Sequence, residues 1–310
     1  MLDSYQKVEC KMKTLKDLVD LAKTKDKKII SVACCQDKEV LTAVENARRL
    51  GIVDAILVGD IDKTREIAEE LNIDLNNYEL IDIEDLSEAC LKAVELASSN
   101  KADMVMKGLV DTSIILKAVL NKDVGLRTGK ILSQVSVLDI PSYDRLIILT
   151  DPAVNISPDL NAKKQIIENA VEVAKSMDIE MPKVACICAK EKVNPKMQDT
   201  VEAKELEDMC KNGEIKDCIV GGPLALDNAI SVEAAEHKGI NNPVAGKADI
   251  LMMPDIKAGN VLYKSVVFFA KGDTAGIIMG AKVPIILISR SDSDISKLNS
   301  IALGVLVASK

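Results

Sequence analysis

Leu146-Ile147-Ile148-Leu149-Thr150-Asp151-Pro152-Ala153-Val154-Asn155-Ile156-Ser157-Pro158 carries a complete strand-to-helix transition. The unbroken apolar run 146–149 predicts a strand buried on both faces, since a half-exposed strand would alternate apolar and polar side chains. The polar stretch after it is bracketed by two prolines, which fix φ and remove backbone donors, so the strand stops there. Beyond Pro158, Leu160, Ile166, Ile167, Ala170, Val171, Ala174 and Met177 recur at helical spacing. Ser157 and Pro158 are the expected N-cap and first residue of that helix.

The same alternation repeats in both directions. Short Val- and Ile-rich runs at 29–33, 55–58, 104–106, 184–188, 218–220, 250–253 and 284–288 are separated by amphipathic helical patterns. This order predicts an α/β fold with mostly parallel sheets and flanking helices on both faces. At about 150 residues per domain, 310 residues suggest two domains, although no linker, repeat or low-complexity tract marks a boundary.

Composition narrows the chemistry. There are six aromatic residues, no Trp and one His, and 48 acidic side chains outnumber 40 basic ones. Stacking platforms and a basic groove for nucleic acid are therefore lacking, and a catalytic triad or His-rich metal site would rest on one imidazole. His237 ends a helical pattern, where a cation suits the helix dipole, and is read as structural. The eight Cys include no C-x-x-C pair and several lie in apolar runs, which points to a reduced, cytoplasmic protein. The amino-terminal segment lacks the apolar core of a signal peptide, and no run approaches the roughly 18 apolar residues of a membrane span.

Nucleotide signatures fail: no G-x-G-x-x-G follows a strand, and Gly246-Lys247 is followed by Ala248 instead of Ser or Thr. Five clusters instead sit at expected strand ends, where open α/β sheets bind ligands. Lys107-Gly108 with Thr112 and Ser113 enters a helix and offers a cation, hydroxyls and unpaired N–H groups, or else a plain turn capped by Thr112 or Ser113. Gly125 to Lys130 places Arg127 and Thr128 between glycines, a phosphate clamp or a surface turn. Residues 150–157 and the run from Gly246 through Asp255 to Asn260 and Lys264 are the third and fourth, with capping by Ser157 and Asp255 as the plainer explanation. The fifth, Ser289-Arg290-Ser291-Asp292-Ser293-Asp294, combines hydroxyl, guanidinium and carboxylates at one helix start, suiting either oxyanion chemistry or capping. Five such clusters on one sheet edge favour an anionic substrate.

Taken in order, these segments resemble the phosphate acetyl/butyryltransferase family, most closely its butyryl branch. The resemblance rests on 102–110, 120–130, Asn194-Pro195-Lys196-Met197, 222–227, 244–250, Ser289-Arg290 and 299–303, and runs from about Ile29 onward. It implies reversible transfer of a short acyl group between CoA and inorganic phosphate, with acyl-CoA/CoA and phosphate/acyl phosphate as substrates. It implies no tightly bound cofactor and no metal, neither a nucleic-acid nor a membrane partner, and a homo-oligomer. The implied fold is two-domain and isocitrate/isopropylmalate dehydrogenase-like. Its first domain would comprise 1–140 plus 284–310, with 141–283 inserted as the second.

By the same resemblance Ser289 and Arg290 serve the reacting phosphate and carbonyl, and Asp294, or Asp292, is the base toward the CoA thiol. Arg127 matches a phosphate-binding Arg, and Lys107, Gly108, Thr112, Thr128 and Asn260 complete the expected substrate site. A further family Arg has no counterpart here. An ordinary thiol and carboxylate are mismatched by about 4–5 pKa units, or ~6 kcal/mol for full proton transfer. Either desolvation in the cleft narrows that gap or the proton moves in concert with thiolate attack. The competing expectations are an acetyl-specific enzyme, a metal- and NAD-dependent hydroxyacid dehydrogenase on the same fold, and a non-catalytic CoA-binding protein.

Overall fold

The computed structural model describes residues 12–287 and 293–310. Its strands are β1 (Lys28–Ala33), β2 (Val53–Gly59), β3 (Glu79–Asp82), β4 (Met104–Lys107), β5 (Ser133–Asp139), β6 (Ile147–Thr150), β7 (Lys183–Ile187), β8 (Ile219–Leu224), β9 (Ile250–Met252), β10 (Asp273–Met279) and β11 (Ile285–Ile286). Helices fill the intervals: α1 (Leu15–Ala22), α2 (Lys38–Arg49), α3 (Ile61–Leu71), α4 (Leu86–Ser98), α5 (Thr112–Val119), α6 (Leu160–Ser176), α7 (Gln198–Lys211), α8 (Leu226–Ile230), α9 (Val232–His237), α10 (Ile256–Phe268) and α11 (Asp294–Ala308). Each apolar run read as a strand is one. The opening helix starts later than expected: Asp159, not Ser157, caps α6 by accepting from Ala162 N at 2.8 Å.

Among the described residues the strands form one sheet in the order β3-β2-β1-β4-β11-β10-β5-β6-β9-β7-β8. Pairing is parallel within β3 to β11 and within β6 to β8, but antiparallel across β11–β10, β10–β5 and β5–β6. The two parallel blocks consequently run in opposite directions, which corrects the expectation that all five clusters share one sheet edge.

One face of the sheet is a continuous core. Ile30, Leu57, Met104, Ile286, Ile277, Val135, Ile148, Ile250, Val184 and Val220, one from each strand except β3, belong to a single apolar cluster. The other face is divided. Val105, Ile285 and Ile278 join α4 and α5 in one cluster, whereas Leu138, Leu149 and Leu251 join α8 to α10 in another. The division falls between β10 and β5. Because β11 inserts beside β4 and α11 packs on α1 and α2, the chain's last segment returns to the block it began with.

Candidate functional site

The first group of residues forms where β4 ends beside β1. Gly108 N donates to Ala33 O and Leu109 N to Cys34 O, both at 2.8 Å. A Cβ on Gly108 would lie 2.2 Å from Cys34 O, so only glycine allows this turn to lie against β1. Lys107 is buried, and its Nζ donates to the carbonyls of Gly108 and Val110 at 3.2 and 3.1 Å. Its charge therefore braces the loop from within. Below it Cys34 and Cys90 stand with sulfurs 3.9 Å apart; their hydrogen bond and burial push the Cys34 thiol up, against the pull of Lys107.

Thr112 and Ser113 are exposed at the start of α5 and neither caps it; Asp111 occupies the N-cap without a side-chain capping bond. The hydroxyls are thus not consumed by the helix, contrary to the plainer of the two expectations.

Ser289 and Arg290, with Asp292, lie outside the described residues. In sequence, β11 precedes them and α11 follows. Ser293 caps α11, accepting from Ser296 N at 3.2 Å. Asp294 is the first helical residue, and among the described residues its carboxylate has no hydrogen-bond partner. Capping thus falls to Ser293 and not to Asp294.

The second group lies across the seam of the divided face. Arg127 is exposed and its backbone bridges Ala281, while Thr128 Oγ1 donates to Gly280 O at 2.5 Å. Gly280 has φ +93°, and a Cβ there would approach Ile131 O to 2.1 Å. Buried Asp151 organises the next loop: its carboxylate accepts from Ala153 N, Val154 N, Asn155 N and Asn155 Nδ2 at 2.6–3.1 Å. Asn155 Nδ2 also donates to Leu132 O. Asn260 Nδ2 donates to Pro152 O at 3.2 Å, and Gly259 lies so close that a Cβ would sit 2.7 Å from Asp151 O. Asp255 does cap α10, accepting from Ala258 N.

The 125–130, 150–157 and 255–260 segments are therefore one connected structure. Leu126 and Val154 pack in the α4–α5 cluster and Ala258 in the α8–α10 cluster, so this structure sits where the two meet. The hydroxyl of Thr128 and the side-chain N–H of Asn260 each donate to a backbone carbonyl and so hold loops in place. Sequence reasoning missed Asp151 as loop organiser, and also Lys163, buried in an ion pair with Glu202 at 2.5 Å. Lys163 is followed by Lys164, and nothing in the residue types separates the buried lysine from the exposed pattern around it.

Among the described residues there is no group of three or more His, Cys, Asp or Glu able to hold a metal, and no helix long and apolar enough to cross a membrane.

Comparison with known proteins connects this geometry to a family. The sequence model described as phosphate acetyl/butaryl transferase matches residues 13–90 and 84–305. The phosphate butyryltransferase of Clostridium acetobutylicum is 50% identical over 297 residues, 96% of this chain and 99% of that protein. The phosphate acetyltransferase of Thermotoga maritima is 47% identical over 294 residues, 95% of this chain and 99% of that protein. Among solved structures, a branched-chain phosphotransacylase from Enterococcus faecalis V583 superposes with a TM-score of 0.80 at 34% identity, covering 91% of this chain and 99% of that one. With a family model matched over most of its length and relatives of this identity, the chain belongs to the phosphate acetyl/butaryl transferase family.

Proposed function

We propose that the chain is a phosphate butyryltransferase, moving a short acyl group reversibly between CoA and inorganic phosphate. The observation that carries this is the 50% identity with a phosphate butyryltransferase over 96% of the chain. In the direction of thioester formation the CoA sulfur attacks the acyl phosphate carbonyl. The C–S bond forms, the tetrahedral oxyanion collapses, and the bond from carbon to the phosphate oxygen breaks. Asp294 takes the thiol proton, and Arg290 and Ser289 stabilise the oxyanion and the departing phosphate. Asp294 is suited to this by its place at the start of α11 with capping left to Ser293.

Arg127 holds phosphate, with Thr112 on the other side of the cleft. Lys107, Gly108, Thr128 and Asn260 act on substrate through the loops they fix. The proposed division is two domains, similar in arrangement to the isocitrate and isopropylmalate dehydrogenases, flexing about the β10–β5 pair where the split face changes cluster. This refines the boundaries read at 140/141 and 283/284, which assign β5 and β10 to different domains although β10 lies between β11 and β5. CoA is a substrate, and the protein is a cytoplasmic homo-oligomer.

Mixing the protein with butyryl phosphate and CoA should produce thioester, followed by its ultraviolet absorbance. Inactivity with every donor from acetyl to branched C5 would overturn the reading. The second reading, a phosphate acetyltransferase, is favoured by the 47% identity with that enzyme; a kcat/KM higher for acetyl than for butyryl phosphate would establish it. Chelator-sensitive NAD reduction would instead identify a hydroxyacid dehydrogenase.

A further inference from the structure

Cys34 and Cys90 meet with their sulfurs 3.9 Å apart, both buried in the α4–α5 cluster. The acyl-transfer mechanism uses neither. Cys34 stands at φ +56°, a backbone region that side chains other than glycine rarely adopt. Its side chain joins the α4–α5 cluster, whereas that of Cys35 joins the continuous core on the opposite face. Cys34 also receives the loop that leaves β4: Leu109 N donates to Cys34 O at 2.8 Å, and Gly108 lies too close to that carbonyl to carry a Cβ. Cys90 comes from the second turn of α4. The first turn adjoins the pair, since Cys34 Sγ donates to Leu86 O at 3.7 Å, and Leu86 itself is 38% exposed. The hydrogen bond between the thiols and the positive charge of Lys107 draw the Cys90 thiol down, while Cys34 is pushed up. Elsewhere burial pushes Cys35, Cys188 and Cys218 up to about 11, 12 and 12, which keeps them protonated and inert at neutral pH.

We infer that Cys34 and Cys90 are a redox modification site: a small hydroperoxide converts the two thiols to a disulfide, and closing that bond displaces the loop at Gly108. The chemistry balances in two steps. The Cys90 sulfur attacks one peroxide oxygen; the S–O bond forms, the O–O bond breaks, and the departing hydroxide leaves as water with the Cys90 proton. The Cys34 sulfur then attacks the resulting sulfenic acid; the S–S bond forms, the S–O bond breaks, and a second water leaves with the Cys34 proton. Two thiols are oxidised and one peroxide is reduced. Access runs through the first turn of α4, because terminal helical turns open more readily than the elements behind them, and a peroxide is hardly larger than water. To bond, the sulfurs must close by roughly 2 Å, to the ~2.05 Å of a disulfide. Cys90 sits within a helix of 13 residues packed on the sheet, whereas Cys34 is one residue of a turn, so the movement falls mainly on Cys34. Its carbonyl holds Leu109, and an ideal Cβ on Gly108 would lie 2.2 Å from it, so the loop has no slack and moves with it.

The bond and the loop movement are read without reference to activity. The full-length protein treated with hydrogen peroxide should lose the mass of two hydrogens per chain, regain it with dithiothreitol, and yield a peptide pair linked through Cys34 and Cys90 on non-reducing digestion. In hydrogen exchange followed by mass spectrometry, the segment 107–111 should exchange several-fold faster in the oxidised form, as the Leu109 N–H loses its hold on Cys34 O. Cys90→Ser should show neither change in peroxide; should that variant fail to fold, the dithiothreitol reversal on the unaltered protein decides. Free thiols at both positions after peroxide treatment would overturn the inference, as would a linkage mapped only to other cysteines. A bond formed with unchanged exchange at 107–111 would overturn its effect on the loop. In the thioester assay, oxidation should lower kcat and dithiothreitol restore it, and an oxidised form of full rate would equally overturn that effect. A reduced protein inactive with every donor speaks against the acyl-transfer reading instead, and the mapped bond and the exchange rates then decide the inference by themselves.

Discussion

In the proposed mechanism Asp294 and Ser293 divide between them two tasks that one carboxylate at a helix start cannot perform at once. A carboxylate bound to the first-turn N–H groups is held as an acceptor and is poorly placed to take a proton from a thiol. With Ser293 accepting from Ser296 N, the Asp294 carboxylate stays out of the cap, as the proposed base must. Asp294→Asn should therefore lower kcat by about 10²–10⁴, the range for loss of a general base, without moving the thermal midpoint. Ser293→Ala should show the converse, a loss of ~1 kcal/mol in urea unfolding with smaller kinetic effect. An Asp294→Asn enzyme of ordinary kcat would remove this residue from the mechanism. Gly108 makes a different kind of demand. Its missing Cβ lets the loop after β4 lie against the Ala33 and Cys34 carbonyls at the end of β1, so Gly108→Ala should cost roughly 1–3 kcal/mol by overpacking.

Glu45 shows how one buried carboxylate ties elements together at the outer end of the sheet. On α2 and nearly enclosed, it accepts from Arg48 Nε at 2.8 Å, Arg49 Nε at 2.6 Å and Tyr78 Oη at 2.5 Å, joining the helix to the turn before β3. Burial raises its proton affinity, but these donors together outweigh it and hold the carboxyl down at about 2. Since the folded value lies below the ordinary 4.5, the contribution is fully present above pH 4.5 and is lost as pH falls through about 2. It amounts to about 3 kcal/mol. Glu45→Gln should be less stable than the unaltered protein at pH 7, with the gap closing between pH 4.5 and 2 in urea titrations; a gap independent of pH would refute the assignment. Neither the ion pairs nor this enclosure could be read from the helix pattern, because Glu45 looks like any polar position between Val44 and Asn46. The strands were legible where they are apolar throughout. Those missed, β3, β5 and β10, are respectively a charged edge strand, a strand with buried Gln134 and Ser136 among its valines, and one interrupted by Gly276. Gly276 takes a hydrogen bond acceptor from α11, Ser300 Oγ at 2.8 Å, an arrangement invisible without the fold. The site was legible to a similar degree. Small and charged residues at strand ends announced the loops, but which polar groups would be spent on the backbone depended on contacts between segments more than a hundred residues apart, such as Asn260 with Pro152.

The missed strands are also the ones that decide the whole molecule, since β5 and β10 form the antiparallel centre joining two parallel blocks. One face of the sheet carries a single apolar cluster across both blocks, while the other changes cluster at that centre. The proposed cleft would open on the divided face while the continuous face keeps the blocks coupled, so flexing and independent unfolding are separate matters. The coupling predicts one cooperative transition in denaturant, not two. Absence of Trp makes the test clean. Tyr78→Trp places a single emitter beside the first block, and Tyr143→Trp places one in the second, where the tyrosine packs against the α8–α10 cluster. In each variant Trp emission and far-ultraviolet circular dichroism should trace the same curve, because residues from β1 to β8 share one core and lose it together. If emission at 143 changes at a denaturant concentration where the dichroism retains the first block's signal, the shared cluster contributes too little to couple the blocks. The proposed division into two domains would then be an energetic one. Coincident curves in both variants would mean that the cleft moves on a scaffold that unfolds as one.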